Sequence, residues 1–332
     1  MNLKKIDGHR HILFSEVIAV ASKLDPVRSV NIYPPDIQEK SEEINRKKGV
    51  EWNRKMHDFS ENIADLEAAG MDMGVLQPTQ TMFFYWAESS AAAELTRMVN
   101  EYTAQEVRKH AAHFLGLATV PLQDVDLAVK ELTYAVRELG LKGVVTGSNV
   151  NGRGFDEQQF LPFFEKVEAL DVPIFIHPFN PGGIERVTKY YLANFLAYPL
   201  ESAIAAAKLV FGGVLDRYPG LKICLSHAGG VLPFLLGRLE HGQSKRPEAQ
   251  EYCQHPFPHY LKNFYVDTIT FRPDTLRFVL EIMPEGHVFM GTDYPYDMED
   301  TDPVGSVAAA VTDEAQRARI CGENLMAVLG LS

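Results

Sequence analysis

The stretch Ile6-Asp7-Gly8-His9-Arg10-His11 lies near the start of the chain and decides how the rest of it is interpreted. It is typical of a short β-strand, along which side chains alternate between two faces. His9 and His11 are therefore expected on one face, with Asp7 on the same side. Two imidazoles about 7 Å apart in strand rise can bind one metal ion if the strand bends slightly. Such an ion needs further ligands, which must come from distant parts of the sequence.

The composition is that of an ordinary soluble globular protein. Of the 332 residues, 46% are hydrophobic and 23% are charged, and this length suffices for one large domain or two small ones. The formal net charge of −12 argues against a nucleic-acid-binding protein, which should carry a basic patch. No apolar run is long enough to predict a transmembrane helix, and no apolar stretch of signal-peptide length opens the chain. We therefore expect no membrane partner.

The cysteines indicate a reducing compartment. Cys224, Cys253 and Cys321 are scattered, odd in number and form no CxxC pair. A disulfide framework or a thiolate zinc site is therefore not expected, and a cytoplasmic location is predicted.

A segment of about residues 14–58 after the first strand is expected to be an insertion. It contains several prolines and a mixed-charge run, and a helix is predicted near residues 36–46. From Phe59 onward, helical and strand patterns alternate regularly. The eight predicted strands lie near residues 6–11, 73–76, 114–119, 143–146, 173–177, 222–226, 264–267 and 287–291.

This alternation predicts a (β/α)8 TIM barrel, in which residues 1–332 form a single domain with a small insertion after strand 1. The strands are short and apolar without clean alternation, as expected when both of their faces are buried. A doubly wound open sheet is the alternative. We favour the barrel because no glycine-rich phosphate loop follows the first strand, and because the polar residues at the strand ends converge better in a barrel.

Histidine and aspartate residues occur at the C-terminal ends of several predicted strands, where barrel enzymes place their active sites. They are His9 and His11 on strand 1, His177 on strand 5, His227 after strand 6 and Asp293 after strand 8. A lone histidine at a strand end is more often a hydrogen-bonded structural residue, but all five positions together favour a metal centre. Imidazole and carboxylate ligands suit Zn²⁺, Mn²⁺ or Fe²⁺ better than Mg²⁺ or Ca²⁺.

This set of residues resembles the metal centre of the amidohydrolase superfamily. Within it, the chain is similar to the branch of metal-dependent decarboxylases typified by 2-amino-3-carboxymuconate-6-semialdehyde decarboxylase, over nearly the whole length from Phe59 on. The resemblance implies a barrel with a small insertion after strand 1, often in a dimer. Further stretches that match the branch are Phe84-Tyr85-Trp86-Ala87, Phe114-Leu115-Gly116-Leu117, Ser226-His227-Ala228-Gly229-Gly230, Leu236-Gly237-Arg238, His241-Gly242 and Gly291-Thr292-Asp293-Tyr294-Pro295-Tyr296.

The resemblance also implies how many metal ions are bound. Binuclear members have a carbamylated lysine at the end of strand 4, whereas this chain has Thr146-Gly147 there and Lys142 at the start of the strand. We therefore expect one divalent metal per chain, Zn²⁺ before Mn²⁺, with an open position for water. Its expected ligands are His9, His11, His177 and Asp293.

The implied reaction is the nonoxidative decarboxylation of an aromatic or muconate-type carboxylic acid. The resemblance assigns His227 as a general acid/base that acts with metal-bound water, a role suited to imidazole near neutral pH. The metal-bound carboxylate of Asp293 is the alternative proton carrier, and the sequence does not choose between them. The structural alternative for His227 is packing beneath the helix that follows it.

An anionic substrate needs local cations in this acidic protein. Arg238 matches an arginine that in relatives reaches the partner subunit's site, so a homodimer is expected; its structural alternative is a surface salt bridge. Arg54 is the second candidate for binding the carboxylate, although a one-residue shift makes Asn53 the equivalent position. If Asn53 is the equivalent, the substrate is expected to differ.

Three aromatic residues are candidate walls of the substrate pocket, although aromatic side chains more often belong to a core. They are Trp86, Tyr191 and Tyr296. Tyr191 stands where relatives are expected to have tryptophan, which indicates an altered specificity.

Two other functions compete with decarboxylation. A hydrolase or hydratase of the same superfamily, acting on a lactone, amide or enol acid, can use the same metal centre, so fold and ligands do not separate the two activities. Detection of CO2 would separate them. A noncatalytic binding scaffold would bind no stoichiometric metal, and the complete ligand set argues against it.

Overall fold

The structure is a computed structural model, and it describes residues 4–30 and 39–331. In the described residues, eight short parallel strands form the centre of the molecule. They are β1 (Ile6–Ile12), β2 (Met73–Pro78), β3 (Phe114–Gly116), β4 (Val144–Gly147), β5 (Ile174–His177), β6 (Ile223–Leu225), β7 (Phe264–Asp267) and β8 (Val288–Phe289).

The strands follow one another around the barrel in chain order. One ladder joins β1, β2 and β3, and a second joins β4 through β8. Single parallel bridges connect the two ladders, one between Ala118 and Val144 and the other between Arg10 and Tyr294. The sheet is thereby closed, and the (β/α)8 barrel predicted from the alternating pattern is confirmed.

Helices separate most of the strands and cover the outside of the barrel. They are α1 (Ser15–Leu24), α2 (Glu39–His57), α3 (Phe59–Ala68), α4 (Ser89–Lys109), α5 (Val125–Arg137), α6 (Leu161–Leu170), α7 (Tyr198–Phe211), α8 (Val214–Arg217), α9 (Leu232–Gln243), α10 (Pro273–Ile282), α11 (Pro303–Ala310), α12 (Glu314–Ala318) and α13 (Asn324–Val328). Aspartates begin several of them: the Asp58 carboxylate accepts hydrogen bonds from the backbone N–H groups of Ser60 and Glu61 at the start of α3.

Three stretches differ from the sequence-based expectation. The helix predicted near residues 36–46 lies partly outside the described residues, and its described part belongs to α2, which continues to His57. The alanine-rich stretch after Pro199, whose pattern predicts one helix that reaches Tyr218, instead forms α7 and α8. The interruption lies at Gly212-Gly213, because Gly213 adopts a positive φ of 70°. Helix α11 was not predicted, because its run of Val, Gly, Ser and Ala has little amphipathic pattern.

The core extends through the barrel and beneath the helices, and every residue of β1 is buried. Packing is tight where β1 meets β8. A Cβ atom at Gly8 would lie only 2.6 Å from the Phe289 ring, so glycine is required at that position. Among the described residues, no helix is both long enough and apolar enough to cross a membrane.

Candidate metal centre

Four side chains converge at the C-terminal end of the barrel. His9 and His11 come from β1, His177 ends β5, and Asp293 follows β8. All four are buried, and one ligand atom from each lies within 4.8 Å of the others. The four ligands predicted from the strand ends are thus brought together.

The distances within this cluster are those of a site built for a cation. His9 Nε2 lies 3.1 Å from His11 Nε2, and Asp293 Oδ1 lies 3.0 Å from His11 Nε2 and 3.4 Å from His9 Nε2. Two facing imidazole nitrogens can share at most one proton, whereas one divalent ion can accept both lone pairs and the carboxylate. Three imidazoles and one carboxylate therefore fit a single divalent metal.

A bulge in β1 brings the two histidines of that strand together. The pairing of β1 with β2 shifts register between Asp7 and Arg10, and a bulge of this kind bends a strand and redirects its side chains. Asp7 does not join the metal ligands, although alternation placed it on their face. Its carboxylate accepts hydrogen bonds from Thr292 Oγ1 at 2.6 Å and Arg10 Nη1 at 3.2 Å.

The electrostatics around His177 and Asp293 favour the protonation states that metal binding requires. Burial, together with the neighbouring histidines, holds the pKa of His177 well below its usual value. Burial raises the pKa of Asp293, but hydrogen bonds from His11 and His227 outweigh it and hold that pKa well below the ordinary carboxyl range. The imidazole of His177 is therefore neutral and the carboxylate of Asp293 anionic.

Asp267, the last residue of β7, organises the site from behind. Its Oδ2 lies 2.8 Å from His9 Nδ1, an arrangement that turns His9 Nε2 toward the other ligands. The same carboxylate accepts the backbone N–H groups of His227 and Ala228, each at 2.8 Å. Asp267 was not predicted to belong to the site, although it ends a predicted strand just as His177 does.

His227 lies beside the metal ligands without being one of them. Its Nε2 is 3.4 Å from Asp293 Oδ2, and its side chain is 19% exposed. Both His227 and Ala228 have positive φ values, 56° and 55°, a conformation that costs free energy for residues other than glycine. The two backbone hydrogen bonds to Asp267 hold this turn in place, so the side chain of His227 faces the cavity next to Asp293.

A cavity of about 840 Å³ opens over the cluster. All three predicted aromatic walls line it: Trp86, Tyr191 and Tyr296. The Tyr296 ring is 5.1 Å from the ring of His11, and its hydroxyl is 2.6 Å from Thr79 Oγ1. The cavity can therefore hold a flat unsaturated acid between aromatic side chains.

The two predicted arginines lie outside the cavity. Arg54, on α2, is 56% exposed and pairs with Glu61, and Arg238 is exposed on α9. Neither lines the cavity, whereas Arg28 does. Arg28 was missed because it falls within the segment interpreted only as an insertion, where no motif drew attention to it.

The sequence is similar to a known enzyme family over almost its whole length. A family described as "Amidohydrolase" matches residues 6–331. The chain is 35% identical over 272 residues to 2-amino-3-carboxymuconate-6-semialdehyde decarboxylase of Dictyostelium discoideum, which covers 81% of this chain and 76% of that protein. It is 32% identical over 249 residues to gamma-resorcylate decarboxylase of Rhodococcus jostii, covering 70% of this chain and 75% of that one.

Solved structures have the same fold. A dihydroxybenzoic acid decarboxylase from Polaromonas, with bound manganese and the inhibitor 2-nitroresorcinol, matches with a TM-score of 0.84 and 27% identity, covering 100% of this chain and 98% of that one. The 5-carboxyvanillate decarboxylase of Sphingomonas paucimobilis matches with a TM-score of 0.86 and 26% identity over 100% of both chains.

Proposed function

Since this chain belongs to the amidohydrolase family, we propose that it is a metal-dependent, nonoxidative decarboxylase of an aromatic or muconate-type carboxylic acid. One observation carries this conclusion: a buried centre of three histidines and an aspartate opens, beside a further histidine, onto a cavity with aromatic walls. The named relatives are decarboxylases of acids with unsaturated or aromatic carbon skeletons.

His9, His11, His177 and Asp293 would hold one divalent ion, which supplies a Lewis acid for the oxygens of the substrate. Loss of CO2 from R–COO⁻ leaves an electron pair on carbon, and a proton must reach that carbon to give R–H. His227 Nε2, 3.4 Å from Asp293 Oδ2, is placed to deliver this proton, and Asp293 is the alternative carrier. The aromatic side chains stack on the substrate and exclude water from the reacting carbon.

Zinc is our first expectation for the ion because its preferred ligands are imidazole and carboxylate groups. The manganese in the similar Polaromonas enzyme supports Mn²⁺ as the alternative. Metal analysis of purified protein, followed by chelation and reconstitution with each ion, would identify the species that restores activity.

The reaction class is tested by CO2 release from metal-reconstituted protein. The acids to be supplied are those of the relatives: gamma-resorcylate, 6-methylsalicylate, 5-carboxyvanillate and 2-amino-3-carboxymuconate-6-semialdehyde. Metal-dependent CO2 release from any of them supports the proposal. If none of these acids releases CO2 while about one metal ion is bound per chain, the result would favour the hydrolase or hydratase alternative.

We further propose that the protein acts as a homodimer in the cytoplasm and that Arg238 reaches the partner subunit's cavity. Two features support the dimer. Leu196, Leu200 and Ile204 recur every fourth residue and are each about half exposed, and Phe234 on α9 is 80% exposed. The starts of α7 and α9 touch, since Val231 N donates to Pro199 O at 3.2 Å. Exposed apolar side chains on neighbouring helices are typical of an interface, and Arg238 follows Phe234 by one helical turn.

A further inference from the structure

The cavity contains a cation that the reaction described so far does not use. Among the described residues that line it, Arg28 is the single lysine or arginine, whereas Asp293 and Asp297 contribute negative charge. In a chain of net charge −12, an anionic substrate gains little from the overall field of the protein. A local guanidinium must therefore supply much of the attraction for any anionic group beyond the reach of the metal.

The position of Arg28 is fixed from one side only. Asp25 Oδ1 accepts the backbone N–H groups of Val27 and Arg28 at 2.9 and 2.8 Å, and Asp25 Oδ2 accepts Arg28 Nε at 2.7 Å. The guanidinium carbon lies 5.4 Å from the Trp86 ring centroid. Its two terminal amino groups make no hydrogen bond to any described residue. They are thus a pair of charged donors held beside an aromatic wall.

The depth of Arg28 distinguishes its role from that of the metal ligands. Its side chain is 61% exposed, whereas the four metal ligands are buried. It therefore lies at the mouth of the cavity and not at the bottom, where the carboxylate that is lost must sit. A cavity of about 840 Å³ leaves room for an unsaturated ring or chain with a second substituent pointing outward.

We propose that Arg28 binds a second anionic group of the substrate, remote from the carboxylate that leaves, so that the preferred substrate class is a dicarboxylic acid. This inference rests on the proposed decarboxylase function and narrows it. Trp86 lies beside the guanidinium, and Asp25 forms an ion pair with it through Nε, which leaves both terminal amino groups available as donors.

The test compares two ligands that differ by one carboxylate. Binding of isophthalate and benzoate to zinc-loaded protein is measured by calorimetry for wild type, Arg28→Gln and Arg246→Gln. Arg246 is the matched control, because it is 70% exposed, donates through Nε to Glu248 at 2.9 Å and does not line the cavity. We expect wild type and Arg246→Gln to prefer isophthalate, and Arg28→Gln to lose about tenfold or more of that preference.

Equal preference in all three proteins, or no preference in wild type, would overturn the assignment of Arg28. The result is independent of turnover. If Arg28→Gln loses the isophthalate preference but no acid releases CO2, the role of Arg28 in anion binding is supported and the proposed decarboxylase activity is rejected. If the protein releases CO2 but Arg28→Gln keeps the isophthalate preference, the decarboxylase function is retained and the role of Arg28 is rejected.

If the protein turns over both acids, a kinetic test is also available. The ratio of kcat/KM for 5-carboxyvanillate to kcat/KM for gamma-resorcylate should be about tenfold lower in Arg28→Gln than in Arg246→Gln.

Discussion

Asp267 illustrates how one carboxylate can serve two parts of a site. It bonds the His9 imidazole on one side and the strained turn of His227 on the other. Burial raises its pKa, but the hydrogen bond to His9, the charges of His9 and His227 and the backbone hydrogen bond from Ala228 together outweigh this. The pKa therefore lies below the ordinary value, and Asp267 is anionic. The charge raises the basicity of His9 as a ligand and at the same time fixes its orientation.

We expect Asp267→Asn to weaken metal binding about 10- to 100-fold, because the amide keeps an acceptor for the backbone but loses the charge that orients His9. Competition with a chromogenic chelator would measure the dissociation constant. Asp274→Asn is the control, since Asp274 is 57% exposed, belongs to neither the barrel strands nor the metal cluster, and forms its ion pair with the exposed Arg272. Unchanged affinity in Asp267→Asn would show that His9 needs no charged partner.

The ligands themselves give a second prediction at this scale. His177→Ala and Asp293→Ala should each reduce bound metal far below one per chain and abolish metal-dependent turnover, because each substitution removes one of the four ligands and leaves the coordination of the ion incomplete. Metal analysis after dialysis provides the measurement, and the exposed His259 provides the control substitution. Full occupancy and turnover in either variant would place the metal elsewhere.

Position at the C-terminal end of a predicted strand identified five residues of the site, but it did not identify every residue of the site. His9, His11, His177, His227 and Asp293 were found because a barrel directs every strand toward the same end. Asp267 obeys the same rule, but it was not predicted, because an aspartate at the end of a strand is also common at the start of a turn. Arg28 obeys no such rule, because its place in the cavity depends on how the segment after β1 folds back.

At the scale of elements, strand and helix identity followed from hydrophobic pattern, whereas local distortions did not. The bulge of β1 could not be predicted from the six residues of the motif, and it moves Asp7 away from the predicted ligand face. Helix α11 lacks an amphipathic stripe, so only its capping Asp302 and Pro303 signalled a start. Such features depend on packing partners that are distant in sequence.

The loop after β8 gives a prediction on pH and stability. Burial, partly offset by Lys55 and Arg10 and reinforced by Asp65 and Asp293, raises the pKa of Glu299 from 4.5 to about 7. Its Oε2 atom is buried without a hydrogen-bond partner among the described residues. The native state thus binds more protons than the unfolded state between these two values. Stability consequently falls as pH rises through that window, and the penalty persists above it.

Glu299→Gln should therefore be more stable than wild type by about 1–2 kcal/mol at about pH 8, a figure reduced for the partial exposure of the side chain, and no more stable at about pH 4.5. Urea unfolding at both pH values, with the 92% exposed Glu314 substituted by Gln as control, measures the difference. An equal gain at both pH values would contradict ionisation as the cause.

At the scale of the whole molecule, the exposed apolar side chains on α7 and α9 lead to a prediction about assembly. A charge introduced at the centre of a homodimer interface is repeated by symmetry in both subunits. Phe234→Glu should therefore convert a dimer to monomers in light scattering, whereas the same change at Val50, 72% exposed on α2, should not. A wild-type monomer at micromolar concentration would reject the proposed interface.

Mixing two inactive variants tests Arg238 across that interface. In a hybrid dimer of one Arg238→Gln subunit and one His177→Ala subunit, the cavity of the Arg238→Gln subunit has all four metal ligands. It also receives an intact arginine from the other subunit. Random exchange should restore about a quarter of wild-type activity, because half of the dimers are hybrids with one complete site each. If Arg238 acts within its own subunit, mixing restores nothing.

The hydrogen bond between His11 and Asp293 joins residues 282 positions apart. The centre therefore cannot assemble until the residues up to Asp293 have been synthesised and the segment after β8 has closed against β1. Only chains with a closed barrel would then bind the metal ion through all four ligands, and incomplete chains would bind it weakly. The same arrangement would link the cell's metal supply to the pool of finished molecules and not to the pool of nascent ones.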